Sequence, residues 1–434
     1  MPIPEIYPII YPIFQTIWAI IKVWWWLPLP FIFFKKWKYH YLKFIQERWY
    51  SNIKNILIEV KIPKEVNKSI KAMEHVFAGL HGVFHSPPNW REKWIDGEFQ
   101  LSLTLEIVSL EGKIHFYIRI PEMYRQLVES TIYSQYPGAE ISLADNYIKQ
   151  VPQDIPNKDW NIFGLNFINV KDESYPIKTY QEFEMGQEKN EEKKVEPLSV
   201  LLESLSFLGQ NEHMWIQIKI KPVHGYEHPW IGKGKKLVDK LAKRPEKVKS
   251  KSILQEFWEA LNNVIFGPIL KSESKPKQGV FAFEILTPGE RQVIAAVEKK
   301  IGKFGFDSFI RFLYIAKKDV FFKPKVKAIF SFFKDISTEN LGGFKPLSST
   351  LTKVKTTHLW FLDKRRVYLR QRKIFRHYCN RVSPFYPKPG GTFILNTEEL
   401  ATLFHFPSEG DISTLALSRV ETKTKEAPSN LPVE

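Results

Sequence analysis

The sequence predicts an α+β protein: an N-terminal membrane helix, then two β-α-β-β-α-β units, the second interrupted by an insertion. Three observations predict it. From Ile9 to Phe34 the chain is almost unbroken apolar and aromatic residue. Beyond it, short runs alternate apolar with less apolar residues, the period of a strand. Between those runs, apolar residues recur at the spacing of a helix with one buried face.

The leading segment contains Trp18 and the run Trp24-Trp25-Trp26, and is followed by Lys35, Lys36 and Lys38. An apolar run of about 20 residues spans a bilayer. Trp at its end suits the interface, and Lys just beyond it marks the cytoplasmic side. Residues 1–38 therefore read as an anchor, with Trp18, Trp24, Trp25, Trp26, Lys35 and Lys36 at the lipid boundary. Gln15 and Lys22 interrupt the run, and Pro12, Pro28 and Pro30 limit its best helix to about 15 residues, short for a span. An interfacial helix and a core helix are the competing readings. No basic region precedes the run and no small-residue cleavage site follows it, so it is a poor signal peptide.

Residues 39–150 read as the first unit. Ile56, Ile58, Val60 and Ile62 alternate until Pro63. Ile70, Met73, Val76, Phe77 and Leu80 keep helix spacing. Two further strands, through Leu101–Ile107 and Ile114–Ile120, flank a Glu111-Gly112 turn. Pro121 opens a helix carrying Leu127, Val128 and Ile132, which stops near Pro137-Gly138. Ile141 and Leu143 form a last strand. This order is the ferredoxin-like arrangement, and alternation on every strand implies one face under helices and one face exposed or partnered.

Residues 151–213 read as a connection, with short strand candidates near Phe163–Val170, a charged linker over Gly186–Glu196 and a short helix at Leu198–Leu208. The second unit is expected over 214–362, with a basic insertion at 223–285. Its strands are Trp215–Ile220, Phe309–Ala316 and Thr357–Leu362, and its helices begin near Pro288 and Lys325. The insertion includes the basic run Lys233–Lys251 and an amphipathic helix near Ile253–Phe266. One strand of a full repeat is missing from this reading. A basic segment occupies 363–415, and a disordered tail 416–434.

At 434 residues the chain has room for a sizeable core, and its net charge of +16 favours anionic partners: nucleic acid, acidic lipid or an acidic protein. The lone cysteine, Cys379, excludes an internal disulfide and a cysteine-cluster metal site. The nearest approach to a phosphate loop, Gly232-Lys233-Gly234-Lys235, lacks the required spacing and the Ser/Thr. The pairs His81/His85 and His224/His228 are spaced for zinc on a helix, but each contains a glycine and lacks a third ligand. Glu98 and Glu106 bracket a strand and read as solvated. No catalytic, cofactor-binding or metal-binding residue is expected, and no cofactor. The strongest chemical signal is basic. Lys364, Arg365, Arg366, Arg370, Arg372, Lys373, Arg376 and Arg381 interleave with Tyr368, Phe375 and Tyr378. Cations alternating with aromatics suit phosphate contact plus base stacking. A lipid-docking face or a plain solvated face is the alternative.

Several longer stretches carry more than composition: Met73–His81, Ile114–Pro121 with Tyr124-Arg125, Ile132–Pro137, Met214–Pro222, Gly289–Ile294 and Asn396–Pro407. Together they resemble the region ahead of the motor in membrane-anchored, type IV secretion-like conjugation ATPases of the HerA/FtsK type, common in small-genome bacteria. The resemblance covers most of residues 50–410, and Asn396–Pro407 is its most specific part. In that family this block lies just upstream of the nucleotide-binding domain. Here the chain ends soon after Pro407, so the family's nucleotide-binding residues have no counterpart: either a separate ATPase subunit completes it, or the gene is split or truncated. The resemblance implies a non-catalytic scaffold at the bacterial cytoplasmic membrane, its bulk cytoplasmic. It would serve DNA or protein translocation as a homo-oligomer beside a separate HerA/FtsK-type ATPase. A membrane-tethered nucleic-acid-binding protein without a motor is the alternative.

Overall fold

A computed structural model describes residues 12, 15–16, 18–19, 22–63, 68–185, 196–225, 228–242, 244, 286–354, 360–382, 384–385 and 390–407. The strands are β1 (Asn55–Lys61), β2 (Leu103–Leu110), β3 (Lys113–Pro121), β4 (Glu140–Leu143), β5 (Trp160–Asn169), β6 (Glu212–Val223), β7 (Gly305–Lys317), β8 (Phe344–Pro346) and β9 (Phe393–Asn396). The helices are α1 (Pro28–Ser51), α2 (Lys71–Leu80), α3 (Arg125–Gln135), α4 (Tyr180–Met185), α5 (Ser199–Ser206), α6 (Trp230–Leu241), α7 (Pro288–Ile301), α8 (Lys327–Asp335), α9 (Asp363–Cys379) and α10 (Thr397–Leu403).

Two separate ferredoxin-like units do not form. All the strands join one nine-stranded sheet in the order β4-β1-β3-β2-β6-β7-β5-β8, with β9 on β7. The first half runs 4-1-3-2. The second half mirrors it, because β6, β7, β5 and β8 take the places of β2, β3, β1 and β4. The strand that completes the second half is β5, from the stretch expected to be a connection. Thr357–Leu362 does not supply it: 355–359 lie outside the described residues, and Trp360–Leu362 is a 3-10 turn. Both halves fuse where β2 pairs antiparallel with β6, from Leu103 opposite Ile220 to Leu110 opposite His213. Each strand thereby satisfies the backbone edge that the other would leave open.

One face of the sheet is apolar. Ile58, Ile118, Leu105, Ile218 and Ile310 stand opposite one another in a row from β1 to β7, all buried. Met73, Val76, Phe77 and Leu80 of α2, Val128 and Ile132 of α3, Leu201, Leu202 and Leu205 of α5 and Ile329, Phe332 and Phe333 of α8 cover it. Helix α10 packs on α2, and its N-terminus is closed by a capping box: Asn396 Oδ1 accepts from Glu399 N at 2.8 Å, and Asn396 N donates to Glu399 Oε2 at 2.9 Å. Glu399 also meets Lys300 of α7 at 3.1 Å with both side chains fully buried. Asn396–Pro407 is thus a packing element that ties β9, α10 and α7 together.

The N-terminal membrane helix is the second correction. Among the described residues no helix is long and apolar enough to cross a membrane. Two features prevent it. A turn at Trp25–Leu27 interrupts the run, and Pro28 starts a new helix. That helix, α1, carries Lys35, Lys36, Lys38, Lys43, Glu47 and Arg48 within its length. Its C-terminal part docks on the body through buried Leu42, Ile45 and Gln46, with Tyr41 Oη donating to Trp94 O at 3.1 Å. The contact is close because residue 97 is glycine with φ +80°: a Cβ there would lie 2.5 Å from Ile45 O. The linker over 186–195, the insertion over 245–285 with its Ile253–Phe266 helix, and the tail from 408 onward lie outside the described residues.

Candidate functional site

The polar positions of the alternating strands converge on the other face of the sheet. Opposite neighbours there run Glu59, Tyr117, Glu106, Gln217, Arg311 and Asn166 from β1 to β5. The next row is Leu57, Arg119, Thr104, Lys219 and Phe309. Such residues commonly face water. Here α9 and the segment Tyr147–Ile155 cover them, and a second core of Val108, Trp215, Leu313, Ile374, Phe375 and Tyr378 forms beside them.

Helix α9 reaches this position for local reasons. Ile374, Phe375 and Tyr378 make one apolar stripe at helix spacing. Gly164 of β5 lets the stripe approach, since a Cβ there would lie 2.5 Å from Leu313 Cδ2 and 3.2 Å from Ile374 Cδ1. Gln371 Nε2 donates to Ile162 O at 2.5 Å. The helix ends in a Schellman motif, with Arg381 N donating to Tyr378 O at 2.8 Å and Val382 N to His377 O at 3.0 Å. The left-handed position of that motif usually holds glycine. Here Arg381 occupies it at φ 45°, a conformation that costs a side-chain-bearing residue roughly 1–2 kcal/mol.

What offsets that cost is Glu106. Arg381 Nε and Nη2 donate to the two carboxylate oxygens at 2.9 and 3.1 Å. Gln217 Nε2 and Tyr147 Oη add bonds of 2.9 Å each, and Tyr147 and Tyr378 share a 2.7 Å hydroxyl contact. Burial pushes the Glu106 carboxyl up, but Arg381, Gln217 and Tyr147 outweigh it and hold the group below its ordinary range. Arg311 Nη1 donates to His377 O at 2.8 Å and Arg311 Nε to Asn166 Oδ1 at 3.2 Å. Burial lowers this guanidinium to about 10. Lys219 Nζ donates to Arg381 O at 2.7 Å. Burial first, then Arg119 and Arg311, bias its amine strongly towards neutrality.

The basic residues predicted from sequence divide into two groups. Lys364, Arg365, Lys373 and Arg376 are exposed on α9, with Arg372 half-buried beside Tyr368 at 2.9 Å. Exposed Phe361, Tyr368 and Leu369 share that face, which bears a hollow of about 540 Å³ along Tyr368, Arg372 and Arg376. Arg366 lies 3.6 Å from Asp363, and Arg370 donates to Ser348 O and Leu351 O at 3.0 Å each. Arg381 is withdrawn from the surface altogether, with 5% of its side chain exposed. It is therefore corrected from a polyanion contact to the clamp on Glu106. Trp18, Trp24, Trp25 and Trp26 are exposed, as are Lys35 and Lys36.

Other sequence signals resolve into packing. Glu106 sits buried mid-strand rather than solvated, and Glu98 lies outside any strand. Gly232-Lys233-Gly234-Lys235 lies on α6, where a Cβ on Gly234 would collide with Ile301 Cγ2 of α7. His81 is buried and stacks on Phe304 with ring centres 4.7 Å apart, and burial lowers its basicity. Among the described residues no cluster of His, Cys, Asp and Glu is placed to hold a metal. Burial pushes the Cys379 thiol up to about 12, away from nucleophilic chemistry. Sequence reasoning missed Arg119, Lys219 and Arg311. The available signal was a charge at the inward phase of a long strand flanked by aromatic residues, as in Phe309-Ile-Arg-Phe-Leu313.

No curated protein matches the chain. The model of a family described as a domain of unknown function, DUF8128, matches residues 46–418, from the docked end of α1 through the last described strand and helix. The chain belongs to that family.

Proposed function

We propose that this chain is a non-catalytic scaffold that lies against an acidic membrane surface and serves a DNA- or protein-translocating machine of the type IV secretion and conjugation kind. It works together with an ATPase of the HerA/FtsK type. One observation carries the membrane part. The N-terminal half of α1 leaves Phe31, Phe33, Phe34 and Trp37 exposed among Lys35, Lys36 and Lys38. Aromatic side chains enter the headgroup boundary while lysines meet anionic lipid, at about 1 kcal/mol per cation near the surface. The helix lies on the bilayer rather than crossing it. The continuous sheet supports the scaffold role, since one rigid body keeps α1 and α9 in fixed relation. Its edge strand β4, with exposed Leu143, offers a pairing edge for a second copy.

Flotation of the full chain with vesicles containing phosphatidylserine tests the membrane part. Binding should be strong and should fall at least tenfold when Phe31, Phe34 and Trp37 are changed together to Ser. Unchanged binding would end it. Co-purification with a HerA/FtsK-type ATPase, and no ATP turnover by the pure chain, test the rest.

A second reading rests on the exposed face of α9. Tyr368 interleaved with Lys364, Arg365, Arg372, Lys373 and Arg376 suits single-stranded nucleic acid. It predicts DNA affinity that falls steeply with salt and is lost in a variant neutralised at Lys364, Arg365, Lys373 and Arg376.

A further inference from the structure

The covered polar face holds more positive than negative charge. Arg119, Arg311 and Arg381 all act on Lys219, and Arg381 acts on Arg119; Glu106 is the carboxylate nearest them, while Glu59 pairs with His115 at 2.6 Å and Asp307 with Lys221 at 3.5 Å. Burial first, then Arg119 and Arg311, lower the basicity of Lys219. Arg381 is matched by Glu106, and Arg311 is held by neutral oxygens. Arg119 remains. It is half-buried on β3 between Leu57 and Thr104, and it makes no hydrogen bond or ion pair among the described residues. Burial lowers its basicity, yet its guanidinium still reaches solvent, so its donors are open to a ligand.

Arg119 also lines an open hollow of about 370 Å³. Asn55, Asn146 and Arg381 form its polar wall, and Ile56, Leu57, Leu143 and Ala144 its apolar wall. Asn146 Oδ1 lies 3.5 Å from Arg381 Nη1, which leaves the Asn146 amide donor without a partner among the described residues. An unmatched guanidinium, an amide donor and a short apolar wall meet in a space larger than a bare ion needs. We propose that this hollow binds a small organic anion, its phosphate or carboxylate head on Arg119 and Asn146 and its body against Leu57, Leu143 and Ala144. Arg119 supplies the charge and the fork geometry that oxyanions match. Arg381 is already committed to Glu106 and adds field rather than a free donor pair. The bound anion would place a negative charge beside Arg119, so occupancy and stability are linked.

Isothermal titration of the full-length protein with phenyl phosphate and with benzoate tests this, with benzamide as the uncharged control. At least one anion should bind with a dissociation constant of about 1 mM or tighter, and benzamide should not. Which anion binds identifies the head group. Arg119→Gln should weaken binding at least tenfold, while Lys345→Gln, an exposed change on β8, should leave it unchanged. If Arg119→Gln does not fold, Ala144→Phe, which fills the hollow and keeps the arginine, should abolish binding instead. The proposal is overturned if neither anion binds the unaltered protein, or if binding survives Arg119→Gln or Ala144→Phe.

Discussion

The two faces of the sheet are both buried, but by different physics. On one face, Ile58, Ile118, Leu105, Ile218 and Ile310 pack under helices through contacts that have no required direction. On the other, Glu59, Tyr117, Glu106, Gln217 and Arg311 are covered by α9 and the segment Tyr147–Ile155 and depend on partners at fixed distances. An apolar face tolerates repacking and loses stability by degrees. A buried polar face is all or nothing, since an orphaned charge costs more than its bond contributed. The comparison assigns the faces different roles. The apolar face makes the body rigid, and the polar face fixes where α9 lies and which of its cations reach solvent.

The largest effect should come from the clamp. Arg381→Ala leaves Glu106 charged and buried, and should cost about 3–5 kcal/mol in urea unfolding. It should also release α9, read as lost protection of Ile374–Tyr378 in hydrogen exchange. A loss under about 1 kcal/mol would mean the polar face is not held as described.

On the apolar face, Ile218→Ala should cost about 2–5 kcal/mol, while Ile218→Val should cost about 0.5–1.5 kcal/mol. Hydrogen exchange at α9 should stay unchanged in the Val variant. If both faces lost protection together, the distinction between them would fail.

A smaller effect is expected with pH. Burial first, then Arg311, Lys373 and Arg376, lower His377 from 6.5 to about 4. The unfolded chain therefore takes up this proton first. The stability linked to His377 is present above pH 6.5 and is lost as pH falls towards 4. Urea midpoints measured across that window should fall less steeply for His377→Gln than for the unaltered chain.

The smallest effect belongs to the outer face of α9. Lys373→Gln and Arg376→Gln should each change stability by less than about 0.5 kcal/mol, because both side chains are exposed. A larger loss would place them in the packing rather than on a surface.

Much of the first half of the sheet was legible. Ile56 to Ile62 and Ile114 to Ile120 alternate cleanly, and Met73, Val76, Phe77 and Leu80 mark the α2 face. The second half was less so. β5 contains Phe163-Gly-Leu-Asn-Phe167, and β7 carries apolar residues on both phases with Asp307 and Arg311 breaking one of them, so period alone could not mark either as a strand lying between two others. The leading apolar run misled because hydropathy does not register the turn at Trp25–Leu27. Arg381 misled because a cation in a basic run looks like its neighbours, although it alone takes the left-handed position at the end of α9.

By itself the sequence determined the class of elements, the apolar faces of the early strands and helices, and a strong surplus of positive charge. These follow from local spacing and composition, which act over a few residues. Only the tertiary structure decided that the strands share one sheet, that its polar face is covered, and that Glu106 meets Arg381 from 275 positions away. Those outcomes depend on which strand edges pair and which helix covers them. Each is settled by long-range burial and charge balance, to which no local pattern gives access.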